Sequence, residues 1–279
     1  MTLSTADDAL SPAADAAKPR RRLLTSPLAL RLAPLLFVAL LIAIWQVSVD
    51  AFEIPPFLLP SPLAIVTLMY NEWGLIQMHA LSTIGSIVSG YFAAVVFALS
   101  ISALMIRFRV VEAIIMPIFV ALQSVPKIAI APLILVWVGA GMGSKILVVA
   151  SIAFFPIVIN TMAGFKQVDQ GLTDVFRSVA ANERQTLFML RLPYAIPYIF
   201  AGLRIATTLS VLGAIVAEWL AASNGIGYLV LSGSFNFNTA RSFAAVIVLA
   251  VIGTVFFTSM SWVERRISWK VDSQTSTNI

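Results

Sequence analysis

The 279-residue chain has no cysteine and one histidine, His79. Disulfides are excluded, and a Cys/His metal site lacks its ligands. Charge is also scarce. Asp, Glu, Lys and Arg make up 11% of residues and hydrophobic residues 59%, whereas a soluble domain is about a quarter charged. That balance excludes a soluble globular domain and indicates an integral membrane protein. Acids are the scarcer sign, 13 against 18 basic residues, for a net charge of +5. In a soluble chain this excess would suggest a nucleic-acid partner. Here its distribution makes it a topology signal, and no nucleic acid is expected.

What is present is a series of long apolar runs. Residues 1–26 are rich in Ala, Ser and Asp, end in Lys18, Arg20, Arg21 and Arg22, and read as a disordered tail. They are not a cleaved signal, because the next apolar stretch is long and no small-residue site closes it. Six spans are expected near 32–49, 81–106, 111–138, 146–162, 198–217 and 242–262, which makes this an all-α membrane protein. Pro55, Pro56, Pro60 and Pro62 forbid regular helix after the first span. Residues 65–79 are amphipathic at best and read as an interfacial segment, with His79 as an incidental member. Residues 218–241 read as a polar connector, and 271–279 as a C-terminal tail after a membrane domain spanning 27–270.

Within the second span Ser82, Ser86, Gly90, Ala94, Ala98 and Ser102 recur every four residues. Small residues on one face allow close helix–helix approach, so this stripe is assigned to packing rather than to a substrate path. Pro117, Pro126 and Pro132 interrupt the third span, and Lys127 follows one of them. A lysine near the bilayer centre costs about 2.5–3.5 kcal/mol and must face protein or water, but one a turn from either surface can snorkel. Both placements remain open from sequence. In the fifth span Gly202, Ala206, Ser210 and Ala214 are again four apart. Lys127, Ser210, Gly213 and Ala214 are the candidate translocation-path residues. The run from Gly139 to Lys145 is no phosphate loop: Ser144 precedes the lysine where glycine is needed, and Ile146 follows it where Ser or Thr is needed.

Six spans put both termini on one side. Arg31, Arg107, Arg109, Lys166, Arg177, Arg184, Arg191, Arg265, Arg266 and Lys270 join the basic tail on that side, whereas the other side holds only Lys145 and Arg241. The positive-inside rule then makes both termini cytoplasmic. On the same side lies a charged island over 173–197, TDVFRSVAANERQTLFMLRLPYAIP. Thr173 is expected to cap a helix with Asp174 in its first turn and Val175, Phe176 and Val179 on one face. Asn182 with Gln185 reads as a second cap, opening a helix through Arg191 that Pro193 and Pro197 close.

This island resembles the cytoplasmic loop of bacterial ABC importer permeases, written E-A-A, three residues, G, nine residues, I-x-L-P. Asp174 stands at the acid, Val175 and Phe176 at the two alanines, Ala180 at the glycine, and Leu190, Leu192 and Pro193 in the closing motif. Because Ala180 replaces glycine, Asn182 is expected to supply the left-handed turn two residues later. The runs Leu59-Pro60-Ser61-Pro62, Pro126 to Leu133, Trp137-Val138-Gly139 and Ala221 to Tyr228 are similar to the nitrate/sulfonate/taurine branch of that family. The resemblance covers about 59–262. It implies a type I importer permease in the bacterial inner membrane, with a coupling helix in a loop over 163–197. Asp174, Val175, Phe176, Arg177, Val179, Ala180, Asn182, Leu190, Leu192 and Pro193 would carry ATPase coupling.

It further implies three partners: a separate ATPase subunit that binds ATP and Mg, a periplasmic or lipid-anchored substrate-binding protein, and a second copy of the permease. The chain itself would be no enzyme and hold no cofactor. The substrate would be a small anion such as an aliphatic sulfonate, taurine or nitrate. A stand-alone ion-coupled transporter would need acids inside the spans; the firm spans hold none, Glu112 belongs to a polar turn and Glu218 sits at a span end. An intramembrane enzyme would need a base beside a nucleophile, and His79 is the one histidine.

Overall fold

A computed structural model describes residues 27–221 and 223–275; the basic tail over 1–26 lies outside them. The chain divides into two units, Met1–Glu53 and Ile54–Ile279. The first contributes a single helix to the description, α1 (Pro27–Ala51), in which the Gln46 amide donates to Asp50 one turn on at 2.9 Å.

The second unit holds the remaining elements: α2 (Pro62–Asn71), α3 (Trp73–Arg107), α4 (Arg109–Gln123), α5 (Ala131–Val138), α6 (Met142–Lys166), α7 (Gln170–Ser178), α8 (Glu183–Gln185), α9 (Leu192–Ala221), α10 (Ile226–Phe235) and α11 (Thr239–Thr275). No strand occurs among the described residues. Five helical stretches are long and apolar enough to cross a membrane, and α4 with the 127–138 segment forms a sixth candidate bent by 95°.

Contacts along α6 settle how the bundle is threaded. A Cβ on Gly90 would lie 2.5 Å from the Val149 Cβ, and one on Gly85 would lie 3.4 Å from Met142, so α3 and α6 run parallel. Gly202 meets Asn160 and Pro156 while Gly213 meets Val149, so α9 runs antiparallel to α6. Because α3 and α6 start at the same end, residues 108–141 must return across the whole bundle. The bent α4–α5 pair is therefore a crossing segment, giving the second unit five passes.

The buried core lies where α3, α6 and α9 meet, around Ala98, Met105, Ile157, Val158, Leu203 and Ala206. Ser86, Gly90, Ala94, Ala98 and Ser102 are all buried along α3, and Ser82 is half-buried at its start. Gly90 is the closest approach, with the Ile146 carbonyl only 3.0 Å from the position of its missing Cβ. Dispersion between backbones supplies the attraction that a hydrophobic drive cannot give in lipid.

Several sequence-based boundaries need correction. The 65–79 segment is split: α2 ends at Asn71 and α3 begins at Trp73, which puts His79 in a membrane helix. Residues 218–241 are no simple connector, since they contain α10 with Ile226, Gly227, Leu229 and Gly233 buried. The expected C-terminal tail begins as helix, α11 running to Thr275. Pro117 sits inside an intact α4, and the break falls at 124–126 instead. Pro126 cannot donate a backbone hydrogen bond and disfavours helix at the residue before it, so the chain turns there.

Substitution of Gly90 tests the seam. Gly90→Val should lower the thermal midpoint of the detergent-purified protein, by an overpacking cost of about 1–3 kcal/mol. Gly74→Ala, on the same helix with nothing within 4 Å of the added carbon, should leave the midpoint unchanged.

Candidate functional sites at the two ends of the bundle

At the end where α6 finishes, the charged island folds as two short helices. α7 starts four residues earlier than expected: Asp169, not Thr173, is its cap and accepts the Gly171 N–H at 2.6 Å. Asp174 is consequently mid-helix and pairs with Arg177 at 3.1 Å. Both side chains are exposed, so the pair is worth about 0.2–0.5 kcal/mol. The helix closes in a Schellman motif, with the Ala181 N–H donating to the Phe176 carbonyl at 2.9 Å and the Ala180 N–H to the Arg177 carbonyl at 3.0 Å.

Ala180 itself takes the left-handed conformation, φ +51°, at the position where the family loop has glycine. Asn182 does not supply the turn, since its φ is −75° and it serves as a cap. Its side chain accepts the Gln185 N–H at 2.8 Å, and the Gln185 side chain accepts the Asn182 N–H at 2.9 Å, as the spacing predicts. Pro193 and Pro197 do not close the following helix. The chain continues through a wide turn, Thr186–Arg191, in which the Leu192 N–H reaches back to Leu187, and passes directly into α9. That wider spacing absorbs the hydrogen bond which Pro193 cannot make.

The island is fastened to the bundle by charge. Arg107, the last residue of α3, pairs with Glu183, and Lys166 at the end of α6 meets Glu112 of α4 at 2.8 Å. On α7 the outward apolar residues are Leu172, Val175 and Val179, whereas Phe176 is half-buried. Leu190 is buried, with Leu192 and Pro193 half-buried beside it.

Lys127 lies in the short helical turn Lys127–Ile130 at the break of the crossing segment, half-buried, with its Nζ 4.9 Å above the Phe155 ring. Phe155 is near the middle of α6, so this lysine lies about midway along that helix. It has no acidic partner among the described residues. Phe155 packs edge to face with Phe119 and Phe154, at 5.3–5.7 Å between ring centroids. Ser210, Gly213 and Ala214 lie on α9. They are buried in the seam between α6 and α9, where the Ser210 hydroxyl donates to its own helix at Ala206.

The opposite end carries a site that sequence reasoning missed. Lys145 and Glu218, at the start of α6 and the end of α9, are both buried, with Nζ 3.8 Å from Oε1. The ammonium is saturated by the Asn224 carbonyl at 2.8 Å, its side-chain oxygen at 2.5 Å and the Ser82 hydroxyl at 3.2 Å. The carboxylate accepts the Thr83 hydroxyl at 2.8 Å and the Gly227 N–H at 2.8 Å. Thr83 also accepts the Ile226 N–H, and His79 Nδ1 accepts the Gly225 N–H, at 2.7 and 2.8 Å.

Three orphan donors at the start of α10 are thereby met by side chains from α3 and α9, with a carboxylate at the positive end of the helix. Gly225 is required there: its φ is +118°, and any side chain would overlap the Glu218 carboxylate. Nearby, Arg241 forks onto Glu72 at 2.7 and 2.8 Å. Each of the two basic residues at this end is thus bound to an acid. The signal in the sequence was a lysine and a glutamate at the margins of apolar spans, each unremarkable alone.

The chain is similar to proteins already known over most of its length. The pattern of the binding-protein-dependent transport system inner membrane component matches residues 86–269. A formylaminopyrimidine transport permease of Halalkalibacterium halodurans is 35% identical over 235 residues, 84% of this chain and 93% of that protein. A putative aliphatic sulfonates transport permease of Bacillus subtilis is 32% identical over 240 residues, covering 85% and 87%. Among solved structures, the inward-facing MetNI methionine ABC transporter superposes with a TM-score of 0.58 at 19% identity, covering 70% of this chain and 97% of that one.

The buried pair makes a prediction of its own. Removing one partner leaves an uncompensated charge, so Lys145→Met should destabilise the purified protein by about 3–5 kcal/mol. Lys145→Met combined with Glu218→Gln should recover a large part of that loss in a double-mutant cycle read by thermal unfolding. Additive losses would mean that the two charges do not interact.

Proposed function

Since the chain belongs to the family of binding-protein-dependent transport system inner-membrane components, and is thus an ABC importer permease subunit spanning the membrane several times, we propose that a separate ATPase drives it through the 163–197 loop. The observation that carries this reading is the form of α7. Leu172, Val175 and Val179 face outward from a helix that is capped at both ends and ion-paired to the bundle through its neighbour α8. An exposed apolar stripe on a braced surface helix suits a protein groove. Asp174 and Arg177 flank that stripe as polar contacts. Phe176 stiffens the helix from its inner side.

The ATPase supplies ATP and Mg chemistry, and this chain supplies the path and the lever. The family relationship implies a substrate-binding protein as the third component. Two copies of the permease would enclose the path. Arg107, Arg109, Lys166, Arg177, Arg184, Arg191, Arg265 and Arg266 collect at the α7 end, while Lys145 and Arg241 at the other are each paired with an acid. Under the positive-inside rule the α7 end, and both termini with it, are cytoplasmic. Lys127 supports a small anionic substrate such as an aliphatic sulfonate, taurine or nitrate, because a deep cation held only by an aromatic face gains from a passing anion. The buried acid that an ion-coupled transporter would require is present in Glu218, but fixed donors already occupy it.

Val175→Asp/Val179→Asp tests the lever. The double variant should insert and retain its thermal midpoint, yet lose co-purification of the ATPase and lower substrate uptake roughly tenfold or more, since each buried apolar contact is worth about 1.5–3 kcal/mol. Undiminished ATPase recovery and uptake would remove the coupling role from α7.

A further inference from the structure

Behind α7, two cavities of about 330 and 520 Å³ adjoin across a shared wall that includes Arg109, Thr173, Arg177 and Arg191. Their charges do not balance. Every acid that lines them is already used: Glu183 by Arg107, Glu112 by Lys166, and Asp174 by Arg177. Arg109 and Arg191 are left over, and neither has a hydrogen-bond or ion-pair partner among the described residues. One belongs to the first residue of α4 and the other to the wide turn that leads into α9, so they reach the same space from different elements.

We propose that this space is a binding site for a phosphate group, held between the guanidinium groups of Arg109 and Arg191. Two unneutralised forks from separate directions match a tetrahedral oxyanion, which offers oxygens to both. A carboxylate offers two oxygens in one plane and serves one fork well. The Thr173 hydroxyl lines both cavities and can turn toward a phosphate oxygen. The two sources of such a group are a free phosphate and the headgroup of a phospholipid at the membrane boundary, where α4 and α9 begin. In either case the occupant would brace the α7–α8 loop against the bundle, which gives it a means of setting how stiffly that loop follows a partner's motion. The site needs no part of the coupling assignment, since neither arginine belongs to the outward stripe of α7.

The test uses the purified full-length chain in dodecyl maltoside micelles, whose headgroup carries no phosphate. Pyrophosphate is titrated in one arm and phosphatidylglycerol is incorporated in the other, with thermal midpoint and native mass spectrometry as readouts. Binding of either probe to the wild type, weakened roughly tenfold or more in Arg109→Gln/Arg191→Gln, is the expected result. A response to pyrophosphate alone assigns a free anion, and a response to phosphatidylglycerol alone assigns a headgroup. Arg109→Lys/Arg191→Lys keeps the charge without the forks, and should bind with intermediate affinity while unfolding like the wild type. Equal binding by the wild type and the glutamine pair, or no binding of either probe to the wild type, would overturn the proposal.

Discussion

Where α3 and α9 approach α6, Gly90 and Gly213 contribute no side chain, so Val149 of α6 packs directly on both of their backbones. Little else can hold membrane helices together, because lipid tails are as apolar as the residues they would replace. That contact also fixes register. With Val149 wedged against both Gly90 and Gly213, Lys145 is carried to Glu218 at one end and Lys166 to Glu112 at the other. A shift of one helical turn would separate both pairs by about 5.4 Å. The ion pairs therefore report the seam more than they create it.

The two ends solve the same polar problem in opposite ways. Where α6 begins, a buried lysine and glutamate are consumed by hydrogen bonds, and three backbone donors of α10 are satisfied in the process. That end is closed and electrically quiet. Where α6 finishes, paired charges tie down the loop, but Arg109 and Arg191 stay unneutralised and apolar residues of α7 point outward. An end left open in both charge and apolar surface is the one equipped to meet other molecules. Between the two ends Lys127 lies over the Phe155 ring, at the sharp break of the crossing segment.

The sequence made the spans legible because a run of some twenty apolar residues has few other uses. The small-residue stripe could be read for a similar reason, as its period of four marks one helix face. The Asn182–Gln185 cap was visible because both halves are local. What could not be read depends on distance along the chain. Glu218 meets Thr83 across 135 residues and Lys145 meets Asn224 across 79, and no local pattern announces either. The left-handed turn was misplaced for a different reason. Propensity favours Asn over Ala in that conformation, but the Schellman closure needs its left-handed residue directly after the helix, where Ala180 stands. The closure overrode the cost of about 1–2 kcal/mol that the left-handed conformation imposes on a residue with a Cβ.

The absence of cysteine permits the measurement that bears most directly on this account, which assigns the open end to the cytoplasm and the closed end to the outside. Single cysteines would be introduced at Ser178, exposed at the end of α7, and at Asn236, exposed just after α10. A membrane-impermeant maleimide would then be applied to intact cells and to inverted vesicles. The account predicts that Ser178→Cys reacts only in inverted vesicles and Asn236→Cys only in intact cells. The reverse pattern would place α7 outside, beyond the reach of any cytoplasmic ATPase, and would contradict it.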